Sequence, residues 1–393
     1  MPDRIYFDHS ATAPLDPRVA FAMNKANLET PGNPSSLHSE GRQAREMVAQ
    51  ARGKVAALLG ASPSEIVFTA SGTEADNLAL RGVFGEGTSG TPKHLITSSV
   101  EHPAILETCW FLEQNGVQVT YLPVDEHGLV NPDDLVRAFR PDTRLVSVMA
   151  ANNVVGTLQP IAELAHITKE RGALFHTDAV QSAGKVSLDV NRVPVDLVSM
   201  SAHKLHGPKG IGALVVRGGV RLHPLVFGGG QERGLRSATE NVSGIVGFGA
   251  AAQLAAAEMA EEAAQLVQLR ERILDGLREA LPQTYLLGHP FKRLPGHLCL
   301  GFAGQEGEAI RLLLSLDEAG VAVSSGSACS AHKASEPSYV LLAMGFDPIR
   351  ARGSLRVTLG RFNTEEEVDR FLQILPQAVS SLRPVASYAG FTR

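Results

Sequence analysis

Apolar residues in the first part of the chain fall into short runs that alternate with helical spacings. In residues 37–59 they recur every three or four positions, which predicts an amphipathic helix that ends at Gly60. An apolar run at 66–69 predicts a buried strand, and the polar residues 70–77 open the next helix. The same alternation predicts strands at 94–97, 117–122, 145–149, 173–175, 197–200 and 211–216, and helices at 104–114, 135–139 and 161–171. Strands that alternate with helices indicate a mostly parallel sheet covered on both faces.

The pattern changes after residue 227. A polar, glycine-rich stretch at 228–239 is followed by a long helical pattern at 242–281, rich in Ala, Glu and Leu. Beyond it we predict strands at 297–302, 321–324 and 354–359 and helices at 308–318, 337–344 and 364–382, an order typical of a smaller α+β domain. We assign no regular element to the Pro-, Asn- and Ser-rich residues 1–36, and we interpret residues 6–14 as an irregular arm.

Composition and charge restrict the classes of function. With 393 residues, 44% of them hydrophobic and 20% charged, the chain has the length and composition of a two-domain soluble globular protein. A net charge of -5 gives no reason to expect a nucleic acid or a membrane surface as partner, and no run of 18 apolar residues predicts a membrane span. The start of the chain lacks signal-peptide features, and Cys109, Cys299 and Cys329 have neither disulfide nor zinc spacing. We therefore expect a cytoplasmic protein without a bound metal, in which a free thiol persists.

Polar residues follow several predicted strands, at the ends where ligands bind in an open parallel sheet. Ser71-Gly-Thr73 suits a phosphate through helix N–H groups and a hydroxyl, although an ordinary N-cap has the same sequence. Asp178 is either an N-cap or a carboxylate that pairs with a protonated ring nitrogen. His102 suits proton transfer or stacking, and Asn153 fits a turn as well as a site. Several such residues at strand ends are far less expected by chance than any one of them.

Lys204 lies at the exit of the apolar run 197–200, with Ser201 and His203 beside it as further hydrogen-bond donors. A lysine in that place can be partly desolvated, which lowers the pKa of its amine and makes it a usable nucleophile or base. A lone lysine is more often a surface residue. The other polar residues at strand ends favour the functional interpretation.

Two further candidates fall in the smaller domain. Cys329 lies among Gly, Ser and Ala residues that predict an accessible, mobile loop, as a reactive thiolate requires. Cys109 and Cys299 lie in apolar surroundings, and we expect both to be buried and inert. Arg356 is a charge in the middle of a predicted strand, so it either faces solvent or holds a carboxylate in a bidentate grip.

Seven blocks of residues, taken in order along the chain, form a combination more specific than any one of them. They are Tyr6-Phe-Asp-His-Ser-Ala-Thr-Ala-Pro14, Phe68-Thr-Ala-Ser-Gly-Thr-Glu-Ala-Asp-Asn77, Glu101-His102, Asp178-Ala-Val-Gln181, Ser201-Ala-His-Lys204-Leu-His-Gly-Pro-Lys-Gly-Ile-Gly212, Gly228-Gly-Gly-Gln-Glu-Arg-Gly-Leu-Arg-Ser-Ala-Thr239 and Ser324-Ser-Gly-Ser-Ala-Cys329. This combination resembles the cysteine desulfurases, in the class V aminotransferase branch of the pyridoxal-phosphate enzymes. The resemblance implies an α/β protein with the pyridoxal-phosphate-dependent transferase fold of the aspartate aminotransferases. It implies a large cofactor domain at 15–260 with a mostly parallel, seven-stranded sheet, and a small α+β domain at 1–14 and 261–393 that carries the cysteine loop.

The resemblance also implies a role for each candidate. Lys204 would form the Schiff base with pyridoxal phosphate, Asp178 would pair with the pyridinium nitrogen, and His102 would stack on the ring and move protons. The other implied contacts are Gln181 with the ring hydroxyl, Gly72, Thr73, Ser201 and His203 with the phosphate region, Thr239 of a homodimer with the phosphate of its partner, and Asn153 with the cofactor. Asn153 and Arg356 would hold the substrate carboxylate, and Cys329 would be the nucleophile.

The implied reaction removes sulfur from L-cysteine, leaves L-alanine and a persulfide on Cys329, and passes that sulfur to an acceptor such as an iron–sulfur scaffold protein. The alternatives are a selenocysteine lyase, another reaction of the same cofactor such as transamination, and a scaffold without activity. Two features depart from the family pattern. Ala150 and Val154 stand where a histidine and a glutamate are usual, and the C-terminus lacks the acidic, aromatic tail by which some members grip the scaffold.

Overall fold

The computed structural model describes residues 4–85, 93–326 and 336–382. Its strands, in chain order, are β1 (Ile5–Tyr6), β2 (Ile66–Thr69), β3 (Lys93–Ser98), β4 (Val117–Leu122), β5 (Thr143–Ser147), β6 (Leu174–Asp178), β7 (Leu197–Ser201), β8 (Gly212–Val216), β9 (Thr284–Leu286), β10 (His297–Phe302), β11 (Val321–Ala322), β12 (Ser324–Ser325) and β13 (Leu355–Thr358). Its α-helices are α1 (Pro17–Glu29), α2 (Ser39–Leu58), α3 (Gly72–Phe84), α4 (Pro103–Gln114), α5 (Pro132–Ala138), α6 (Ile161–Glu170), α7 (Val242–Ala280), α8 (Ala309–Glu318), α9 (Tyr339–Ala343), α10 (Pro348–Arg352) and α11 (Glu365–Ser381).

The largest sheet formed by the described residues has seven strands in the order β2-β8-β7-β6-β5-β3-β4. From β4 across to β7 all neighbouring strands run parallel, whereas β8 runs antiparallel to both β7 and β2. This arrangement confirms the predicted mostly parallel, seven-stranded sheet. Because the parallel strands end at one edge, the polar residues that follow them are brought together there.

Alternate residues of these strands pack into separate cores on the two faces of the sheet. In β2, Val67 belongs to a core with helices α3 and α4, whereas the next residue, Phe68, belongs to a core with α2, α6 and α7. In β7, Leu197 and Val198 divide between the two cores in the same way. Side chains of a strand point alternately to opposite faces, so a strand that is covered on both sides can bury apolar residues at successive positions.

A second sheet has four antiparallel strands in the order β12-β13-β10-β9. Its core contains residues of α8, α11 and the C-terminal half of α7, together with Ile5 and Phe7 from the start of the chain. Strand β1 pairs in parallel with β11, so the first described residues join this smaller unit. Helix α7 contributes Phe248 to a core of the large sheet and Ile273 to the core of the small one. The domain boundaries at residues 14 and 260 stay a prediction.

Helix α7 is the one helix of the described residues that is long and apolar enough, by length and composition, to cross a membrane. Of its most apolar window, 44% is buried inside the protein. There it packs against α1 and α2. Burial in a protein core therefore accounts for the apolar composition of this helix.

Helix α1 is missing from the elements that the sequence predicts. Asp16 caps it by accepting a hydrogen bond from the Arg18 N–H at 2.8 Å, and Pro17 begins its first turn, which is the signal that predicts α5. Its apolar pattern is ambiguous because Phe21 is 72% exposed while Val19 is buried. Strands β1 and β9 and helix α10 are also missing, since all three are too short to give a periodic pattern.

Candidate active site

A cavity of about 490 Å³ opens at the carboxyl ends of the parallel strands. Its volume is in the range of small-molecule sites. The predicted site residues that line it are Gly72, Thr73, His102, Asn153, Asp178, Gln181, Ser201, His203, Lys204 and Arg356. The lining residues that the sequence did not single out for the site include Ser10, Ala11, Thr12, Asp76 and Lys209.

Lys204 closes the one-turn 3₁₀ helix that follows β7. Its Nζ donates hydrogen bonds to the carbonyl oxygens of Ser10 and Ala11, the second at 2.8 Å. Both carbonyls belong to the N-terminal arm, which we define as residues 7–16 between β1 and α1. These contacts exclude the alternative of a fully solvated surface lysine, because the amine lies inside the cavity against backbone oxygens.

Asp178 ends β6 in the cavity and is 6% exposed. Its Oδ1 accepts a hydrogen bond from the backbone N–H of Val180 at 2.8 Å. Burial raises the pKa of this carboxyl, and the nearby His102 and Lys204 act in the opposite direction. A cationic group of a ligand placed against Asp178 would favour its ionised form.

Two further carboxyls, those of Asp76 and Glu101, lie close to Asp178 in the protein interior. Burial raises the pKa of Glu101 to about 8, although Ser98 Oγ and the Met149 N–H donate to its Oε1 at 2.6 and 2.9 Å. Burial, and then the charge of Asp178, holds the pKa of Asp76 well above its usual range. Carboxyls so placed cannot all be ionised, so the cluster keeps protons near neutral pH. No sequence signal reveals this cluster, because its members lie far apart in the chain.

Two histidines of the cavity have defined ring contacts. His102 caps α4, and its Nδ1 accepts a hydrogen bond from the Ala104 N–H at 3.1 Å, which places the proton of the neutral ring on Nε2. His203 Nδ1 lies 3.1 Å from Thr12 Oγ1 in the N-terminal arm. Burial, and then the charge of Lys204, lowers the pKa of His203 to about 4, so this ring is neutral at physiological pH.

The start of helix α3 offers backbone N–H groups to an anion. Ser71 caps the helix by accepting a hydrogen bond from the Glu74 N–H at 3.1 Å, and Gly72 and Thr73 follow at the cavity surface. Gly72 allows a close approach here, since a Cβ at its position would lie 2.6 Å from Val180 Cγ2. The N-cap interpretation and the phosphate interpretation of this segment are therefore compatible, because the remaining N–H groups and the helix dipole favour an anion.

Arg356 lies in the middle of β13 and is only 2% exposed, so the alternative of a solvent-facing arginine is wrong. Its Nη1 donates to the backbone carbonyl of Asn153 at 2.9 Å, and its Nη2 donates to Asp8 Oδ1 at 3.0 Å. Gln181 Nε2 donates to the Ser10 carbonyl at 2.9 Å. Arg356 Nε and Gln181 Oε1 are buried without a partner among the described residues, and both residues line the cavity.

Two predicted site residues are not brought into the cavity by the described structure. Thr239 is exposed and does not line the cavity of its own chain. Cys329 lies outside the described residues. Cys109 and Cys299 are fully buried, as predicted, and burial raises the pKa of Cys299 to about 11. Burial therefore keeps both of these thiols from acting as nucleophiles.

The side chains of the cavity fit pyridoxal phosphate. An aldehyde requires an amine, a pyridine nitrogen requires an acidic partner, and a phosphate requires N–H and hydroxyl donors; Lys204, Asp178 and Thr73 supply these groups in one cavity. The unpartnered Oε1 of Gln181 adds an acceptor for a ring hydroxyl. Within the part of the chain that the structure describes, no group of three or more His, Cys, Asp or Glu residues could hold a metal ion.

Comparison with known proteins identifies the relatives of this chain. The family model described as aminotransferase class-V matches residues 5–371. A protein of Dictyoglomus turgidum named cysteine desulfurase IscS is 47% identical over 389 residues, which cover 99% of this chain and 98% of that protein. A protein of Methanosarcina thermophila with the same name is 48% identical over 380 residues, or 96% of this chain and 93% of its own length. The solved structure of a NifS-like protein matches with a TM-score of 0.90 and 41% identity, over 97% of this chain and 100% of that chain.

Proposed function

Because this chain belongs to the class-V aminotransferase family and is a pyridoxal-phosphate-dependent cysteine desulfurase, we propose that it stores the sulfur of L-cysteine as a persulfide on Cys329. The observation that supports this most is that Lys204, Asp178 and Arg356 line one cavity. Together they provide an amine, an acidic partner for a ring nitrogen and a grip for a carboxylate. An amino-acid substrate and this cofactor require all three.

The cofactor would be held by residues of both the strand ends and the helix starts. When bound, it supplies an electron sink for negative charge at the substrate Cα. The residues that would hold it are Lys204 at the aldehyde, Asp178 at the ring nitrogen, His102, Asn153 and Gln181 at the ring, and Gly72, Thr73, Ser201 and His203 at the phosphate. Burial raises the pKa of Asp178 and so disfavours its ionised form. A cationic ring nitrogen beside this carboxyl would stabilise the ionised form.

Lys204 and Arg356 act on the substrate. Arg356 lines the cavity and binds the α-carboxylate through its guanidinium. The amine of Lys204 moves a proton at the substrate Cα. In the described structure its Nζ donates hydrogen bonds to the carbonyl oxygens of Ser10 and Ala11, so the N-terminal arm holds the amine in the cavity.

Cys329 carries the sulfur step. A bond forms between its thiolate and the substrate sulfur as the substrate C–S bond breaks. The electron pair of the broken bond takes up a proton from solvent to form a new C–H bond, which gives L-alanine. The sulfur stays on Cys329 as a persulfide, so the step consumes no external oxidant or reductant. The position of Cys329 in the motif carries this assignment.

Replacement of Cys329 by alanine tests the sulfur step. We expect Cys329→Ala to stop alanine release from L-cysteine while it keeps the visible absorbance of the bound cofactor. Cys109→Ala is the matched control, because this thiol is buried away from the cavity and its loss leaves the reaction unchanged. A Cys329→Ala variant with full activity on L-cysteine would contradict the persulfide, and a wild-type protein that does not release alanine would contradict the function.

We further propose a homodimer in which Thr239 reaches the phosphate site of the partner subunit. Thr239 is exposed and lies outside the cavity of its own chain, and the nearby Phe227 is a large apolar residue that is 73% exposed. Mixing an inactive Thr239→Ala protein with an inactive Lys204→Ala protein should restore activity, because one site of the mixed dimer then has both intact residues. No recovery after subunit exchange would contradict the shared site.

We propose that the persulfide sulfur passes, in the cytoplasm, to an acceptor such as an iron–sulfur scaffold protein. The absence of disulfide spacing among the three cysteines of the sequence supports a reducing compartment. Labelled persulfide on Cys329 should move to a purified scaffold protein and leave a protein without acceptor cysteines unlabelled. Label that stays on the enzyme in the presence of the scaffold would exclude that acceptor.

A further inference from the structure

The guanidinium of Arg356 has a carboxylate partner within the protein. Its Nη2 donates to Oδ1 of Asp8 at 3.0 Å, and the two side chains are 3% and 19% exposed. Its Nη1 is held by the carbonyl of Asn153 at 2.9 Å. The charge of Arg356 is therefore partly neutralised before any substrate binds, and its plane is fixed from two sides.

These two contacts do not use every N–H group of the guanidinium. Nε of Arg356 is buried and has no partner among the described residues. A guanidinium binds a carboxylate best through two parallel N–H···O bonds. Arg356 lines the cavity, and its terminal nitrogens carry hydrogens beyond those donated to Asp8 and Asn153, so a second carboxylate can bind there while the contact with Asp8 persists.

Asp8 is itself held in place by backbone contacts. Its carbonyl accepts hydrogen bonds from the N–H groups of Ala11 and Thr12 at 3.0 and 3.3 Å and from the Tyr6 hydroxyl at 3.3 Å. It also forms a β-bridge with Thr358 in β13, the strand that carries the arginine. The carboxylate of Asp8 is thus fixed relative to β13 by the backbone and not only by its ion pair.

Resting on the proposed function, we infer that Asp8 is a positioning residue with two effects. It orients Arg356 for the substrate carboxylate, and it weakens the binding of that carboxylate enough for the product to leave. L-Cysteine and L-alanine carry the same α-carboxylate, so an arginine without a counter-charge would retain the product as firmly as the substrate. The negative charge of Asp8 lowers the affinity for both, because like charges repel more strongly in a poorly solvated site. Its oxygen keeps the guanidinium aligned.

Two substitutions separate the charge of Asp8 from its hydrogen bond. Asp8→Asn keeps an oxygen acceptor and removes the charge, so we expect the inhibition constant of L-alanine to fall about tenfold and kcat to fall with slower product release. Asp8→Ala removes the acceptor too, so L-alanine should bind at least about tenfold more weakly to it than to the asparagine variant. Inhibition constants within twofold of wild type in both variants would overturn the inference.

Cysteamine, which is cysteine without its carboxylate, is the control ligand. Its inhibition constant should be the same in wild type and both variants, because it makes no contact with the guanidinium. An equal shift for cysteamine and L-alanine would mean that Asp8 only supports the fold, and would overturn the inference.

Asp317→Asn, which breaks an exposed ion pair with Arg4, is the matched control variant. A wild-type protein that binds L-alanine but forms no L-alanine from L-cysteine would contradict the proposed function. The role of Asp8 would still be decided by the inhibition constants of L-alanine in the two variants and in wild type.

Discussion

The cavity has a floor and a wall that are built in different ways. The floor consists of residues at the strand ends of the large sheet, such as Asp178 and Lys204. The wall consists of residues 10–12 of the N-terminal arm and of Arg356 in the small sheet, with Asp8 behind it. Each floor residue is placed by its own strand, whereas the wall depends on a contact between residues 348 positions apart. The difference suggests that the floor performs the chemistry and the wall selects and releases the ligand.

The largest loss is expected from the floor. Lys204→Ala removes the proposed proton-transfer group, so kcat should fall by about 10²- to 10⁴-fold, a usual contribution of general acid–base catalysis. Borohydride should no longer fix the cofactor to the protein. Lys209→Ala is the control, because this lysine lines the same cavity with the same charge, and its loss should cost less than about tenfold in kcat. Equal losses of kcat in the two variants, measured as alanine release, would show that Lys204 has no role beyond that of another cavity lysine.

The buried acids beside the floor are expected to make stability depend on pH. The pKa of Glu101 is about 8 in the folded protein, against a usual value of 4.5. Because burial raises the folded pKa, the stability that Glu101 contributes is complete below pH 4.5 and is lost as the pH rises to 8. Glu101→Gln avoids that loss, so it should gain about 3 kcal/mol relative to wild type between pH 5 and pH 8. Urea unfolding of the cofactor-free protein measures the difference.

A carboxylate of the N-terminal arm provides the control for this pH dependence. The hydrogen bond with Arg18 is the main reason why the pKa of Asp16 is lowered to about 2. Its contribution to stability is therefore present above pH 3.8 and is lost only as the pH falls to about 2. Asp16→Asn should change the free energy of unfolding by the same amount at pH 5 and pH 8. A Glu101→Gln curve parallel to that of wild type would contradict the buried, protonated acid.

A smaller effect, in binding instead of turnover, is expected from the wall. Arg356→Lys keeps the charge but loses the planar fork, so KM for L-cysteine should rise about tenfold or more while kcat stays within about threefold. Steady-state kinetics separate the two parameters. A fall in kcat with unchanged KM would mean that Arg356 acts in the chemical step, as the floor residues do. It would contradict the distinction between a floor for chemistry and a wall for binding.

The smallest effect is expected from a hydroxyl of the wall. Thr12→Val keeps the shape of the side chain and removes the contact with His203 Nδ1. Because a neutral hydrogen bond contributes about 1 kcal/mol, the affinity for pyridoxal phosphate should fall about fivefold. Equilibrium dialysis of the cofactor-free protein measures this affinity. An unchanged affinity would show that His203 keeps its position without the arm.

The floor is far more visible in the sequence than the wall. Lys204, Asp178 and Thr73 each follow an apolar run, and such runs are recognisable because the strands are buried on both faces. The arm contributes the carbonyl groups of Ser10 and Ala11, and a backbone carbonyl has no residue-specific signal. Only the family resemblance marks this segment, and it does not reveal the contacts of these carbonyl groups with Lys204.

Long-range pairing limits what the sequence predicts of the fold and the site. Arg356 could be recognised as an unusual residue, but its burial depends on Asp8 at the opposite end of the chain. Asp76 and Glu101 lie in recognisable blocks, yet only the folded sheet brings them near Asp178. Helix α1 escapes detection because Phe21 points its apolar ring outward. Roles that depend on Cys329 and Thr239 stay predictions.

Helix α7 is one continuous helix that connects the cores of the two sheets. Its 39 residues extend roughly 58 Å at 1.5 Å per residue, and both sheets are anchored on it. Between Ala255 and Leu266 the helix has no buried residue, so this span has the least lateral support. Glu258 and Glu262 brace the span through ion pairs with Arg361. Because α7 contributes to the cores of both sheets, any change in the angle between the sheets would have to bend this one helix, and the ion pairs with Arg361 would oppose that bending at its least buried span.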